Sequence, residues 1–142
     1  MKISKSPGLL ASLRFALDGL RYTFERERNF RTHCALAVVA CGLGWRCGLP
    51  RLDFLWVGLV ITLVLVAELF NTAVESLVDM ASPAVHPLAK AAKDASAAGV
   101  LVTSLFAVVV GLLIFGPHLG WWQVGLFLGL VGLSLGKGRA PC

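Results

Sequence analysis

Between Ala95 and Pro117 the sequence runs for 23 residues without a charged side chain. That is longer than the ~20 residues a helix needs to cross the hydrocarbon of a bilayer. In lipid, backbone polar groups must be satisfied internally, so such a stretch is committed to helix. Composition agrees: hydrophobic types make up 57 % of the 142 residues and charged types 15 %, against ~25 % charged in a soluble domain. A chain this short buries only about two thirds of its unfolded surface, too little to hide that much apolar area from water. Disordered, disulfide-scaffold and ordinary soluble-enzyme readings fit poorly.

The remaining segments fall into place around this span. Ser6-Pro7 reads as an N-cap and first helical residue. After it, Leu9, Leu13, Ala16, Leu17, Leu20 and Phe24 recur at steps of three and four, with Arg14, Asp18, Arg21, Glu25 and Arg28 opposite. This predicts an amphipathic helix over 6–28 lying on the membrane surface. A short first span is predicted over 32–49, closed by Leu49-Pro50, with Arg51 and Asp53 in a loop. The second span covers 54–80, including a cytoplasmic extension, and the third covers 90–117. The stretch Leu119–Gly136, 18 uncharged residues opening on Trp121-Trp122, leaves open a fourth C-terminal span over 119–136. The expected fold is an all-α membrane protein, a single domain over 1–142, with an N-terminal surface helix and three transmembrane helices.

Charge sets the orientation. Seven of the 13 Lys and Arg lie in the first 31 residues, which suggests a membrane surface rather than nucleic acid. With four spans and the N-terminus inside, 11 of the basic residues are cytoplasmic and only Arg46 and Arg51 are outside. With three spans the count is nine against four, and the N-terminus stays cytoplasmic. The opening Met-Lys-Ile-Ser-Lys does not lead into an apolar core, so no secretory signal is read there. The four cysteines stand at no metal-binding spacing and read as small hydrophobes.

The second span carries the chemical conflict. Glu68 interrupts an apolar run, and Asn71, Glu75 and Asp79 follow on one helical arc of about 80° at 100° per residue. Ionisable residues at membrane depth cost roughly 2.5–3.5 kcal/mol on insertion scales and are functional candidates by default. Past the stripe, the segment Ser82 to Asp94 brings His86, Lys93 and Asp94 to the same membrane face. Alone, a Lys at a helix end is ordinary interface anchoring; beside carboxylates it suggests an anionic ligand bridged by a divalent metal. The run Glu25 to His33 adds Glu27, Asn29 and Arg31, which alone would be a solvated charge run. No P-loop accounts for this chemistry, since Gly132-Leu133-Ser134-Leu135-Gly136-Lys137-Gly138 has the wrong spacing and no Ser or Thr after the Lys.

Three ordered motifs resemble the small bacterial integral-membrane diacylglycerol and undecaprenol kinases. They are Glu27-Arg28-Asn29-Phe30-Arg31 with His33, then Glu68-x-x-Asn71-Thr72-Ala73-x-Glu75-x-x-x-Asp79, then His86-Pro87-Leu88-Ala89-Lys90-x-Ala92-Lys93-Asp94. The resemblance covers residues 9–117 and is nearer to the undecaprenol-kinase branch. It implies a homotrimer in the bacterial cytoplasmic membrane that transfers the ATP γ-phosphoryl group to a lipid hydroxyl. Glu68 would be the general base, and Glu27 and Glu75 would hold Mg²⁺. Asn71, Asp79, His86, Lys93 and Asp94 would line the ATP site, with Phe15 against adenine and Asn29 and Arg31 on the lipid side. The branch wording favours undecaprenol as substrate, while the residue pattern leaves diacylglycerol open. Nothing in the resemblance explains the residues after 117.

Two other classes compete. A small ion- or proton-coupled transporter would use Glu68, Glu75 and Asp79 as a relay. A non-catalytic membrane anchor would tolerate apolar residues throughout the stripe.

Overall fold

A computed structural model describes residues 8–82 and 86–118. Four helices follow one another: α1 (Leu9–Arg26), α2 (Arg28–Arg46), α3 (Arg51–Ala81) and α4 (Pro87–Phe115). Ser6 and Pro7, read as cap and first helical residue, lie outside the described residues, as does the candidate span 119–136; α1 begins at Leu9 with Gly8 in the cap position. The charged face of α1 pairs as its spacing requires, Arg21 Nε lying 2.7 Å from Glu25 Oε1. That hydrogen bond and the charge of Glu25 hold the Arg21 guanidinium above its ordinary value.

The surface helix and the next helix meet at a single residue. Glu27, at φ −96° and ψ 113°, is extended, and helix resumes at Arg28 rather than after a linker up to residue 32. Two contacts fix this corner. Arg31 Nη1 donates to the carbonyls of Phe24 at 3.0 Å and Glu25 at 3.1 Å, satisfying orphan acceptors in the last turn of α1. The rings of Phe24 and Phe30 stand edge to face, 6.5 Å between centroids, with Phe30 buried.

Helix α2 stops at Arg46, before the expected boundary at 49. Gly48 has φ +63°, its N–H bonds to Trp45 O at 3.2 Å, and Leu49 N–H bonds to Gly44 O at 3.1 Å. This crossed pair of bonds is a Schellman closure, which needs a left-handed residue after the C-cap. Pro50 then caps α3, so Arg51 and Asp53, expected in a loop, are already helical. Asp53 in that first turn complements the positive end of the helix dipole. At the other end His86 caps α4, its Nδ1 accepting from Leu88 N–H at 3.2 Å, with Pro87 as first residue. Helix α4 therefore begins three residues before the expected boundary at 90, with Lys90 and Lys93 in its first two turns.

Helix α4 packs along α3, and α2 packs on α3 as well. The apolar core among the described residues is only Phe30, Val57, Val60 and Val64. Large apolar side chains otherwise point outward along α3 and α4, including Leu55, Phe70, Leu101, Val102 and Leu113. Among the described residues, α3 and α4 are long and apolar enough to cross a membrane; 22 % of the most apolar window of α3 and none of that of α4 is buried by protein. Helices so apolar and so uncovered are not the core of a water-soluble bundle. The chain is an all-α membrane protein. Helix α2 carries Arg28, Arg31 and Arg46 within 19 residues and is less apolar than either.

Candidate active site

The polar stripe of α3 is the continuation of its buried seam. Val57, Val60, Val64, Glu68 and Thr72 are the buried residues of this helix. With Asn71, Glu75 and Asp79 they share an arc of about 120° at 100° per residue. The same face that packs apolar side chains in the first half of α3 thus presents carboxylates in the second. Glu68 lies at the changeover, 2 % exposed. His33 of α2 brings Nε2 to 3.3 Å from Glu68 Oε1. The pair lacks hydrogen-bond alignment, and that oxygen has no hydrogen-bond partner among the described residues. A buried carboxylate oxygen without a hydrogen bond costs about 1–3 kcal/mol or more, so Glu68 is poorly explained as a structural residue.

Two turns further along, α3 forms one wall of an open polar cleft of about 220 Å³. Thr72, Glu75, Ser76 and Asp79 line it from α3, while Tyr22 and Arg26 line it from α1 and Glu27 from the corner. Arg26 lies over the Tyr22 ring, 5.4 Å from its centroid. The extended conformation of Glu27 is what delivers a second carboxylate opposite Glu75: its side chain makes no capping bond. Helix α4 lines none of the cleft but is tied to α3 by polar contacts. Lys93 Nζ pairs with Asp79 Oδ1. Ser96 Oγ donates to Asn71 Oδ1 at 2.7 Å, and Asn71 Nδ2 donates to Glu75 Oε1 at 2.8 Å.

The residues singled out from sequence separate into groups here. Glu27, Glu75 and Asp79 meet at the cleft, with Asn71 and Lys93 bonded to its walls. Asp94 pairs instead with Lys90 one turn back on α4, and His86 is engaged as a helix cap. Phe15 stands two turns before Tyr22, 63 % exposed, and is not among the cleft-lining residues. Asn29 is exposed, and Arg31 holds the corner through backbone carbonyls. Tyr22, Arg26 and Ser96 had not been singled out, and His33 had no role assigned. Tyr22 and Arg26 stand four residues apart just before the break, a helical pairing that marks them as one face. Ser96 follows Lys93 by three residues and so shares its side of α4.

Among the described residues no three His, Cys, Asp or Glu side chains converge as a metal cage. Two carboxylates facing one cleft nevertheless fit Mg²⁺, which commonly takes one or two carboxylates and completes its shell with phosphate and water.

An integral-membrane helical protein with a carboxylate-lined cleft beside a buried acid is what fold and site define. A family model described as prokaryotic diacylglycerol kinase matches residues 14–115. A diacylglycerol kinase of Synechocystis sp. is 38 % identical over 115 residues, covering 80 % of this chain and 66 % of that protein, just under two thirds. An undecaprenol kinase of Bacillus subtilis is 41 % identical over 101 residues, covering 71 % of this chain and 82 % of the relative. A diacylglycerol kinase of Haemophilus influenzae is 32 % identical over 109 residues, covering 75 % and 92 %. The chain belongs to the prokaryotic diacylglycerol kinase family. Family membership supports a membrane lipid kinase with a nucleotide co-substrate, and the transporter reading gains nothing from these matches.

Proposed function

We propose that this chain transfers the γ-phosphoryl group of ATP to the hydroxyl of undecaprenol or diacylglycerol, giving undecaprenyl phosphate or phosphatidate. The observation that carries the reading is the buried Oε1 of Glu68, which has no hydrogen bond among the described residues, on the same helical face as the open cleft of Glu75 and Glu27. Seven residues of helix separate Glu68 from Glu75, about 10 Å. Glu68 lies about 25 Å from the start of α3, near the inner edge of a ~30 Å hydrocarbon layer if Arg51 marks the outer edge. A lipid hydroxyl held at the interface meets the acid there, while a nucleotide enters the cleft from water.

Glu27 and Glu75 would hold Mg²⁺, which when bound offsets phosphate charge and orients the transferred group. Lys93, steered by Asp79, offers a cation to the phosphates. Asn71 and Asp79 would serve the nucleotide side of the cleft, while His86, Asp94 and Phe15, the last against adenine, would meet the nucleotide only where it extends past the cleft lining; Asn29 and Arg31 would belong to the lipid side. Glu68 accepts the proton of the lipid hydroxyl as its oxygen bonds to the γ-phosphorus and the bond to the bridging oxygen breaks, releasing ADP. His33 faces the Glu68 carboxylate, and Thr72 Oγ1 donates to the Glu68 carbonyl at 3.0 Å. The uncovered apolar faces of α3 and α4 fit lipid and a homotrimer, with α2 as a third span. The basic residues around α1 and the start of α4 favour the cytoplasmic side of a bacterial inner membrane for both.

The test is phosphoryl transfer from labelled ATP with Mg²⁺ in mixed micelles offering each lipid separately. Wild-type protein should phosphorylate at least one of them, the motif wording favouring undecaprenol. Glu68→Gln should remain folded by circular dichroism and gel filtration while turnover falls about 10²–10⁴-fold, the usual worth of a general base. Near wild-type turnover in that variant would remove the base assignment. Absence of product with either lipid would remove both substrates.

A further inference from the structure

We propose that Ser96 is a positioning residue for the cleft: from the third turn of α4 it orients the Asn71 amide and, through it, the Glu75 carboxylate. The inference rests on the reading of Glu75 as a Mg²⁺ ligand and adds a residue that the family motifs quoted above do not contain.

The hydrogen bonds run in one direction. An ionised carboxylate can only accept, so Asn71 must turn its NH₂ toward Glu75 Oε1, 2.8 Å away. The amide carbonyl then faces α4, where Ser96 Oγ stands 2.7 Å from it. Ser96 has a second acceptor, the Lys93 carbonyl of its own helix at 2.9 Å. A hydroxyl has one proton to donate, and the partly buried Asn71 carbonyl claims it once the amide is set. The chain therefore reads Ser96 to Asn71 to Glu75. Among the described residues no hydrogen bond to Glu75 Oε2 competes with the cleft, which Glu27 also faces.

Without the Ser96 hydroxyl, the Asn71 carbonyl loses the donor that holds the amide from the α4 side. An amide free to swing would leave Glu75 Oε1 without its donor and let the carboxylate turn away from the cleft. Lys93, one turn earlier on the same side of α4, is bound to Asp79, so α4 grips the acidic stripe at two heights. A pin that only joined α3 to α4 would affect stability alone; a pin that sets a metal ligand must also affect metal affinity.

The experiment is a Mn²⁺ titration followed by electron paramagnetic resonance, on the full chain in detergent with a non-hydrolysable ATP analogue. Glu75→Gln serves as the site control, and Thr103→Ala as the α4 control, its hydroxyl bonding to the Gly99 and Val100 carbonyls of its own helix. Ser96→Ala should weaken Mn²⁺ binding about 10-fold, the low end of the range for residues behind a ligand. Ser96→Thr should restore it, and Thr103→Ala should match wild type. In the kinase assay, Ser96→Ala should need correspondingly more Mg²⁺ for half-maximal rate while keeping its kcat. Unchanged Mn²⁺ binding in Ser96→Ala beside a weakened Glu75→Gln would overturn the role of Ser96 and leave the metal site standing. Equal loss in Ser96→Ala and Ser96→Thr would mark simple packing and overturn it too. Unchanged binding in Glu75→Gln would remove the metal site and this inference together.

Discussion

Arg31 shows how one side chain decides the geometry of the site. Its guanidinium closes the end of α1 by donating to two carbonyls, and Glu27 is the extended residue held at that bend. Arg31→Met should lower stability by about 1 kcal/mol, the net worth of an ordinary hydrogen bond at an exposed site, measured as a lower thermal midpoint in detergent. Because the corner carries Glu27, the same variant should also need more Mg²⁺. An unchanged midpoint would leave the corner to the Phe24–Phe30 contact. In the sequence, Arg31 is the last residue of the first family motif, with a lipid-side role implied by the resemblance. Its function depends on acceptors six and seven residues back, a distance that continuous helix would never bring together.

At the level of elements, the turn between α2 and α3 rests on Gly48. A side chain at φ +63° meets the left-handed penalty of about 1–2 kcal/mol. Gly48→Ala should lose about that much stability in a detergent unfolding series, and Gly48→Asn should lose less, since Asn tolerates that region better. Equal stability of both variants with wild type would mean that the turn closes in another way. The Gly-Leu-Pro sequence announced that a helix ended here. It did not announce that helix would resume at once: Arg51 and Asp53 looked like loop residues because they are charged. A polar first turn is ordinary helix chemistry when the negative charge faces the dipole. The same applies at Pro87, where a breaker in the middle of a sequence is a good residue at the first position of a helix.

At the scale of the whole molecule, the family match ends at residue 115, and every cleft residue lies within it. A chain ending after His118 should therefore keep lipid kinase activity within about threefold of the full chain; each such factor corresponds to less than 1 kcal/mol in the barrier. Loss of activity in folded, truncated protein would assign the last 24 residues a part in the site or its assembly. The class of the protein and the residues of its acidic stripe were legible from the sequence alone. Lipid forbids unpaired backbone and penalises charge, and both constraints act along the chain, so a charge-free run and an acid within one can be read directly. Helical periodicity also put Glu68, Asn71, Glu75 and Asp79 on one face before any neighbour was known. Tertiary structure decided what that face meets: His33 across from Glu68, Ser96 behind Asn71, Tyr22 and Arg26 beside Glu27, and Asp94 turned to Lys90 instead of the cleft. Those neighbours depend on where one helix crosses another and how it is rotated about its axis. That rotation is set by the summed packing of two apolar surfaces, a property of no single stretch of sequence.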